Sequence, residues 1–242
     1  MKTLGIIGGM GPLATADLYR KLILAADAAR DQDYPHVIID GDAQIPDRTA
    51  AILHGGEDPL PRLEASARRL TTAGAEVLMM ACNTAHYYYD AVRTAAGVPV
   101  LHMIEETARE IQRAGYKKAA LLATDGTVQT KLYHRVFEAQ GIPFVLPDPR
   151  GQRAVMAMIY EGVKAGAATF DTAQVTACLG QLREAGAEVF VLACTELPPA
   201  FEQYGIEAPT VDPTAVLARA AVLAAGCRLR PAKQTAAQSS VG

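Results

Sequence analysis

Several things are missing from this chain, and each absence removes a class of function. No apolar run approaches the ~18 residues that span a membrane. No basic block occurs and the net charge is −3, which argues against a nucleic-acid partner. The cysteines are few, Cys82, Cys178, Cys194 and Cys227. They form neither a CxxC pair nor a zinc-type spacing, which disfavours structural zinc and close-pair redox chemistry. The opening MKTLGIIGGMGP lacks the apolar length and small-residue cleavage site of a secretory signal. The expectation is a cytoplasmic protein with reduced thiols, no membrane segment and no nucleic-acid partner.

What is present is a chain of 242 residues, 50% hydrophobic and 20% charged, ordinary for a soluble globular protein. That length accommodates one large domain or two lobes of about 100–120 residues. Short continuous apolar runs suggest strands near Leu4–Ile7, Val37–Asp40, Val77–Ala81, Val98–Leu101, Ala119–Ala123, Pro143–Leu146, Val189–Ala193 and Ala208–Val211. Runs without alternation suit parallel strands covered on both faces. Helical spacing lies between them, as in Asp58–Ala73 and Ile104–Ala114. Such alternation predicts βαβ units.

The chain also repeats itself. AGAEV at Ala73 recurs at Ala185, and Ala81-Cys82 recurs as Ala193-Cys194, at a constant offset of 112 residues. GVPVLHMIEET (Gly97–Thr107) resembles EAPTVDPTAVL (Glu207–Leu217), and LGIIGGMG is matched loosely by AALLATDG. The expected fold is therefore α/β with two similar lobes about a pseudo-twofold axis. Each lobe is a mostly parallel sheet flanked by helices, and the active site lies between them. Lobe one is expected to hold residues 1–100 and 207–227, with the C-terminal helix crossing back, and lobe two residues 101–206. Residues 228–242 are expected to be a disordered tail.

Ligands of parallel α/β sheets bind beyond the carboxyl ends of the strands. Cys82 and Cys194 sit at such ends, one per lobe. Two facing thiols suit stereoinversion: a thiolate removes a proton from one face of a carbon and a thiol delivers one to the other. A lone cysteine closing an apolar run is usually a small core residue; here the duplication favours chemistry. Cys178 and Cys227 read as structural. GIIGGMGP (Gly5–Pro12) lacks the full dinucleotide spacing and reads as a turn bringing backbone close to a small ligand, with Pro12 near a helix start. Taken alone, Arg48 reads as solvated, Lys164 as a helix-end charge and His86 as a polar residue at a helix start.

Together GGMGPLAT (Gly8–Thr15), QIPDRTA (Gln44–Ala50), ACNTAH (Ala81–His86), EGVKAG (Glu161–Gly166) and ACTELP (Ala193–Pro198) resemble the aspartate/glutamate racemase superfamily, its aspartate branch in particular, from Met1 to about Ala225. The resemblance implies catalysis by Cys82 and Cys194 on a small dicarboxylic amino acid, without pyridoxal phosphate or metal, in a homodimer. It implies that Arg48 and Lys164 hold the distal carboxylate, that Asn83, Thr84 and Thr195 hold the α-carboxylate, and that Met10 and Thr49 line the pocket. Glutamate racemases carry a DSG-type start and CTH after the second cysteine. Met10 and Glu196 stand near those places here, which removes that branch's acidic and histidine helpers. Alternatives within enzymes are a broad-specificity amino acid racemase and a maleate isomerase-type enzyme that adds cysteine to a double bond. Outside enzymes, the alternative is a small-dicarboxylate-binding protein that needs Arg48 and Lys164 but not the thiols.

Overall fold

The computed structural model describes residues 1–231. Its first half runs β1 (Leu4–Ile7), α1 (Pro12–Ala25), β2 (Val37–Asp40), α2 (Arg48–His54), α3 (Leu60–Thr72), β3 (Val77–Met80), α4 (Tyr89–Ala96), β4 (Val100–Leu101) and α5 (Met103–Ala114). The second runs β5 (Ala119–Ala123), α6 (Asp125–Gln129), α7 (Leu132–Ala139), β6 (Phe144–Val145), α8 (Pro149–Ala157), α9 (Ala173–Glu184), β7 (Val189–Ala193), α10 (Leu197–Gln203), β8 (Thr210–Val211) and α11 (Pro213–Ala224). The strands form two four-stranded sheets, ordered β2-β1-β3-β4 and β6-β5-β7-β8, parallel throughout. This is the expected α/β class, with one strand order used twice.

The duplication extends to single hydrogen bonds. The Thr3 amide donates to Glu76 Oε2 at 2.8 Å and the Lys117 amide to Glu188 Oε2 at 2.8 Å. Glu76 and Glu188 are the acidic residues of the two AGAEV segments, so the repeated motif fixes the entry to β3 and β7 in the same way.

β1, β3, β5 and β7 are buried along their whole length because helices cover both faces. One face of the first sheet packs Leu4, Ile6, Val77 and Met79 against Leu18 and Leu22 of α1 and Leu217, Ala221 and Val222 of α11. One face of the second packs Ala119, Leu121, Val189 and Val191 against Ile104, Ala108 and Ile111 of α5 and Tyr133 and Phe137 of α7. Each lobe thus lends a helix to the other: α5 comes after the last strand of sheet one and covers sheet two, and α11 does the reverse.

Two expected boundaries change. Thr210 and Val211, placed with lobe one from sequence, pair with Phe190 and Val191 in the second sheet, so the chain crosses back only from α11 onward. The tail was expected to begin at Arg228. Instead the Asp27 amide donates to the Arg228 carbonyl (2.9 Å) and the Arg230 amide to the Ala25 carbonyl (2.8 Å), with Leu229 opposite Ala26 in an antiparallel bridge and packed on the first core. An apolar side chain in an otherwise polar segment draws the backbone down. The remainder of that expectation, residues 232–242, lies outside the described residues.

Leu217 is fully buried whereas Leu223 of the same helix is 57% exposed. Leu217→Ala is expected to cost about 2–5 kcal/mol in urea unfolding and Leu223→Ala to stay within about 0.5 kcal/mol. Equal effects would contradict the placement of α11 on the first sheet.

Candidate active site

Each sheet has its topological switch point between its two central strands, where crevices form beyond the carboxyl ends. β1 delivers the Gly-rich turn to this point and β3 delivers Cys82. In the second lobe β5 delivers Thr124 and β7 delivers Cys194. The two switch points face one another across one small pocket of about 270 Å³ empty volume. All nine residues expected from sequence line it: Met10, Arg48, Thr49, Cys82, Asn83, Thr84, Lys164, Cys194 and Thr195. Asp47, Thr124, Tyr160 and Glu196 complete the wall and were not among the expected site residues.

The Gly-rich turn is shaped by backbone contact. A Cβ on Gly9, at φ +88°, would meet the Asp42 carbonyl at 2.3 Å. Thr15 Oγ1 accepts from the Gly9 amide and donates to the Gly11 carbonyl, both at 2.9 Å. Pro12 opens α1 at its first turn, and Met10 is left at the pocket, 1% exposed.

Arg48 is not solvated. It is 7% exposed, and its Nη1 donates to the Ile45 (3.2 Å) and Pro46 (2.9 Å) carbonyls. Its Nε is buried without a partner. Burial opposes the charge, but the Cys82 sulfur and the Asp47 carboxylate offset it and hold the guanidinium above its ordinary pKa. Asp47 caps α2 by accepting from the Ala50 amide at 2.9 Å. It also accepts from the Tyr160 hydroxyl at 3.3 Å and lies 3.6 Å from Lys164 Nζ. Burial works against the Asp47 charge too, yet the Ala50 amide, Lys164 and Arg48 keep its carboxyl below the usual range.

Lys164 comes directly after a π-helical stretch, Met158–Val163; its amide donates to the Ile159 carbonyl at 3.0 Å. Such wide turns often mark functional sites. Here the turn puts Lys164 Nζ 4.2 Å from the Tyr160 ring centroid. Burial lowers the ammonium's pKa, but the charges of Glu196, Tyr160, Cys194 and Asp47 raise it further, leaving it above the ordinary value.

On the opposite wall Asn83 Oδ1 accepts from the Tyr133 hydroxyl at 2.6 Å, while its Nδ2 is buried with no partner. Thr84 Oγ1 lies 2.9 Å from Thr124 Oγ1 and 3.0 Å from Thr127 Oγ1, a hydroxyl cluster joining the lobes. Glu196 Oε2 accepts from Cys194 Sγ at 3.0 Å and from Thr195 Oγ1 at 3.2 Å. An acidic group therefore does stand beside the second thiol, although the sequence comparison with the glutamate branch removed one. Burial first, then Glu196, push the Cys194 thiol well above its usual pKa, with Lys164 opposing them.

His86 lies in the short helical turn Thr84–Tyr88, as a polar residue near a helix start. It is 4% exposed, and its Nε2 accepts from the Met103 amide at 3.1 Å. Nδ1, 2.9 Å from the Cys82 carbonyl, therefore carries the proton and donates. The ring ties the Cys82 turn to the start of α5. Among the described residues no group of three or more His, Cys, Asp or Glu is placed to hold a metal ion, and no helix is long and apolar enough to cross a membrane.

Residues 7–221 match the model of the Asp/Glu/Hydantoin racemase family. The chain belongs to that family. It is 30% identical over 232 residues to the broad specificity amino-acid racemase RacX of Bacillus subtilis (strain 168), covering 90% of this chain and 96% of that one. Its fold is similar to that of Picrophilus torridus aspartate racemase, with TM-score 0.81 and 31% identity over 95% of this chain and 96% of that one. It is also similar to an aspartate racemase homologue from Pyrococcus horikoshii OT3, with TM-score 0.75 and 28% identity over 93% of this chain and 100% of that one. The family match spans both cysteine turns and both lobes.

The buried His86 yields a pH prediction. Burial, and secondarily His102, lower its pKa from 6.5 to about 3. Between those values the unfolded chain binds the extra proton, so stability is present above pH 6.5 and is lost as pH falls. Taking the sample from about pH 7 to about pH 5 is expected to cost about 2 kcal/mol through this group. Urea titrations of wild type and His86→Gln would show it: the substitution should flatten the slope over that window. An unchanged slope would contradict the neutral, buried assignment.

Proposed function

We propose that this racemase-family enzyme interconverts L- and D-aspartate by a two-base mechanism. The observation that carries the reading is the pairing of two sulfurs, one from each lobe, in one small pocket that also holds Arg48 and Lys164. The thiolate of one cysteine takes the α-proton, the electron pair remains on the substrate, and the thiol of the other cysteine gives its proton to the opposite face. Cα inverts and the thiols exchange protonation states. The unpartnered Asn83 Nδ2, with Thr84 and Thr195, suits the α-carboxylate, where negative charge builds as the proton leaves. Preorganised donors favour that charge. Arg48 offers a planar fork and Lys164 a point charge for the distal carboxylate. Met10 and Thr49 bound the space left for the side chain.

Similarity to aspartate racemase supports the substrate; similarity to RacX favours a second reading, a broad-specificity amino acid racemase. Two cations at the distal end favour an acidic side chain over a basic one, but a single methylene is worth only about 1–3 kcal/mol, so glutamate is the nearest competitor.

Proton NMR of α-hydrogen loss in deuterated water, run with circular dichroism across a panel of L-amino acids, separates the readings. The highest kcat/KM is expected for aspartate, and Cys82→Ala and Cys194→Ala are each expected to lose about 10²–10⁴-fold or more in racemisation. Comparable rates on lysine or alanine would favour the broad reading. No exchange with any amino acid would overturn both. Arg48→Lys is expected to raise KM for aspartate by about tenfold or more, since it removes the fork; an unchanged KM would remove Arg48 from substrate binding.

A further inference from the structure

The two cysteine turns share a backbone plan but not a charge. Glu196 is 5% exposed, and its Oε2 stands 3.0 Å from Cys194 Sγ. Sulfur donates to a carboxylate only while it holds its proton. By the 112-residue offset the position matching Glu196 in the first lobe is Thr84, whose hydroxyl is engaged with Thr124 and Thr127. No carboxylate stands behind Cys82 in that place. Cys82 instead shares the pocket wall with Arg48. Cys194 thus touches a carboxylate and no such contact is made by Cys82.

Building on the two-thiol mechanism above, we propose that Glu196 decides which sulfur carries the proton in the empty cleft: Cys194 rests as a thiol donating to Glu196, which leaves Cys82 to serve as the thiolate that the mechanism requires. The groups facing each sulfur agree. Around Cys194 stand Glu196 on its own turn, Tyr160 from the π-helical stretch, Lys164 just after it and Tyr133 from α7. Lys164 is the single cation in that set and is shared with Asp47. On the Cys82 side, Arg48 of α2 lines the same pocket and the neutral His86 holds the Cys82 carbonyl, with no carboxylate hydrogen-bonded to the sulfur.

The same asymmetry shapes turnover. The enantiomer whose α-hydrogen faces Cys82 meets a base ready to react. Cys82 takes that proton and Cys194 gives up its own. The free enzyme is then left with a Cys194 thiolate against the Glu196 carboxylate, two buried anions in contact, which is the disfavoured arrangement. It resets by losing the Cys82 proton to water and gaining one from water at Cys194, with no net change in protons. The other enantiomer reacts with the minority form. Enantiomers have equal free energy, so kcat/KM is equal in the two directions. The asymmetry therefore emerges in kcat and KM separately.

Thiolate absorbance in the ultraviolet, titrated without substrate from about pH 5 to 9, tests the assignment. Cys178 and Cys227 are present in every variant and cancel in the differences. Cys194→Ser is expected to retain one thiolate at neutral pH and Cys82→Ser to lack it. Adding Glu196→Gln to Cys82→Ser should move the Cys194 titration down by about one pH unit or more, while Glu196→Asp should largely restore it. Glu196→Gln alone should change kcat unequally in the two directions. The same titration midpoint in both single-cysteine variants, or no movement with Glu196→Gln, would overturn the proposal. Should a double variant not fold, iodoacetamide labelling of wild type read by peptide mass replaces it. Labelling of Cys82 should rise at lower pH than labelling of Cys194, and the reverse order would overturn the proposal. Because these readings need no substrate, a failed racemase assignment shows instead as absent α-proton exchange with the thiol asymmetry intact.

Discussion

Each sheet takes one of its cover helices from the other half of the chain, and the rest of the structure depends on that exchange. Without α11 the first sheet would expose Leu4, Ile6 and Val77; without α5 the second would expose Ala119, Leu121 and Val191. Neither half buries its apolar faces alone, so the two lobes are held in one relation. That relation brings the carboxyl ends of β3 and β7 to the same pocket. The proposed two-base mechanism needs this: each sulfur is placed by its own strand, and the space between them by the packing of helices on the far side. His86 links the two levels, because one ring holds both the Cys82 carbonyl and the first amide of α5.

The cleft concentrates charge on walls that are only partly closed to water: Arg48 and Glu196 are buried, while Asp47 and Lys164 keep part of their side chains exposed. Arg48 and Lys164 are balanced by Asp47 and Glu196, with Asp47 touching Lys164 and Tyr160 at once. Asp47 caps α2 of the first lobe, and Lys164 and Tyr160 lie in the second, so the same contacts close one side of the pocket. The α-proton of an amino acid is held tightly, and a thiolate alone is a weak match for it. In the proposed reaction, fixed donors are the means available to stabilise the charge left behind.

Much of the fold was legible in the sequence because the central strands are apolar on both faces. β1, β5 and β7 begin and end where their apolar runs do, and the edge strand β2 also spans the residues expected of it. β4, β6 and β8 are shorter than their runs, each starting just after a proline, Pro99, Pro143 and Pro209, which has no amide hydrogen to give the ladder. The destinations of α5 and α11 were less legible, since an apolar stripe shows that a face is buried and not what buries it. The pocket wall was readable where a motif named it. Tyr160 stands one helical turn before Lys164, and Thr124 matches Gly9 in the duplicated β1 and β5 turns, so spacing and repeat both carried a signal for them. The burial of Arg48 and the contact of Glu196 with Cys194 depend on how loops fold back in space, and no periodicity records that.

The most direct test tracks the isotope in the first turnovers of wild type. L-aspartate is mixed with enzyme in deuterated water, and both enantiomers are separated and assayed for deuterium at Cα before the reaction nears equilibrium. Two opposed bases require that the D-aspartate formed carries solvent deuterium while the unreacted L-aspartate keeps its hydrogen, because the proton taken by one sulfur is not the one delivered by the other. Protium carried over into the D-aspartate, or deuterium entering both enantiomers at the same rate, would point to a single base and contradict the paired-thiol cleft.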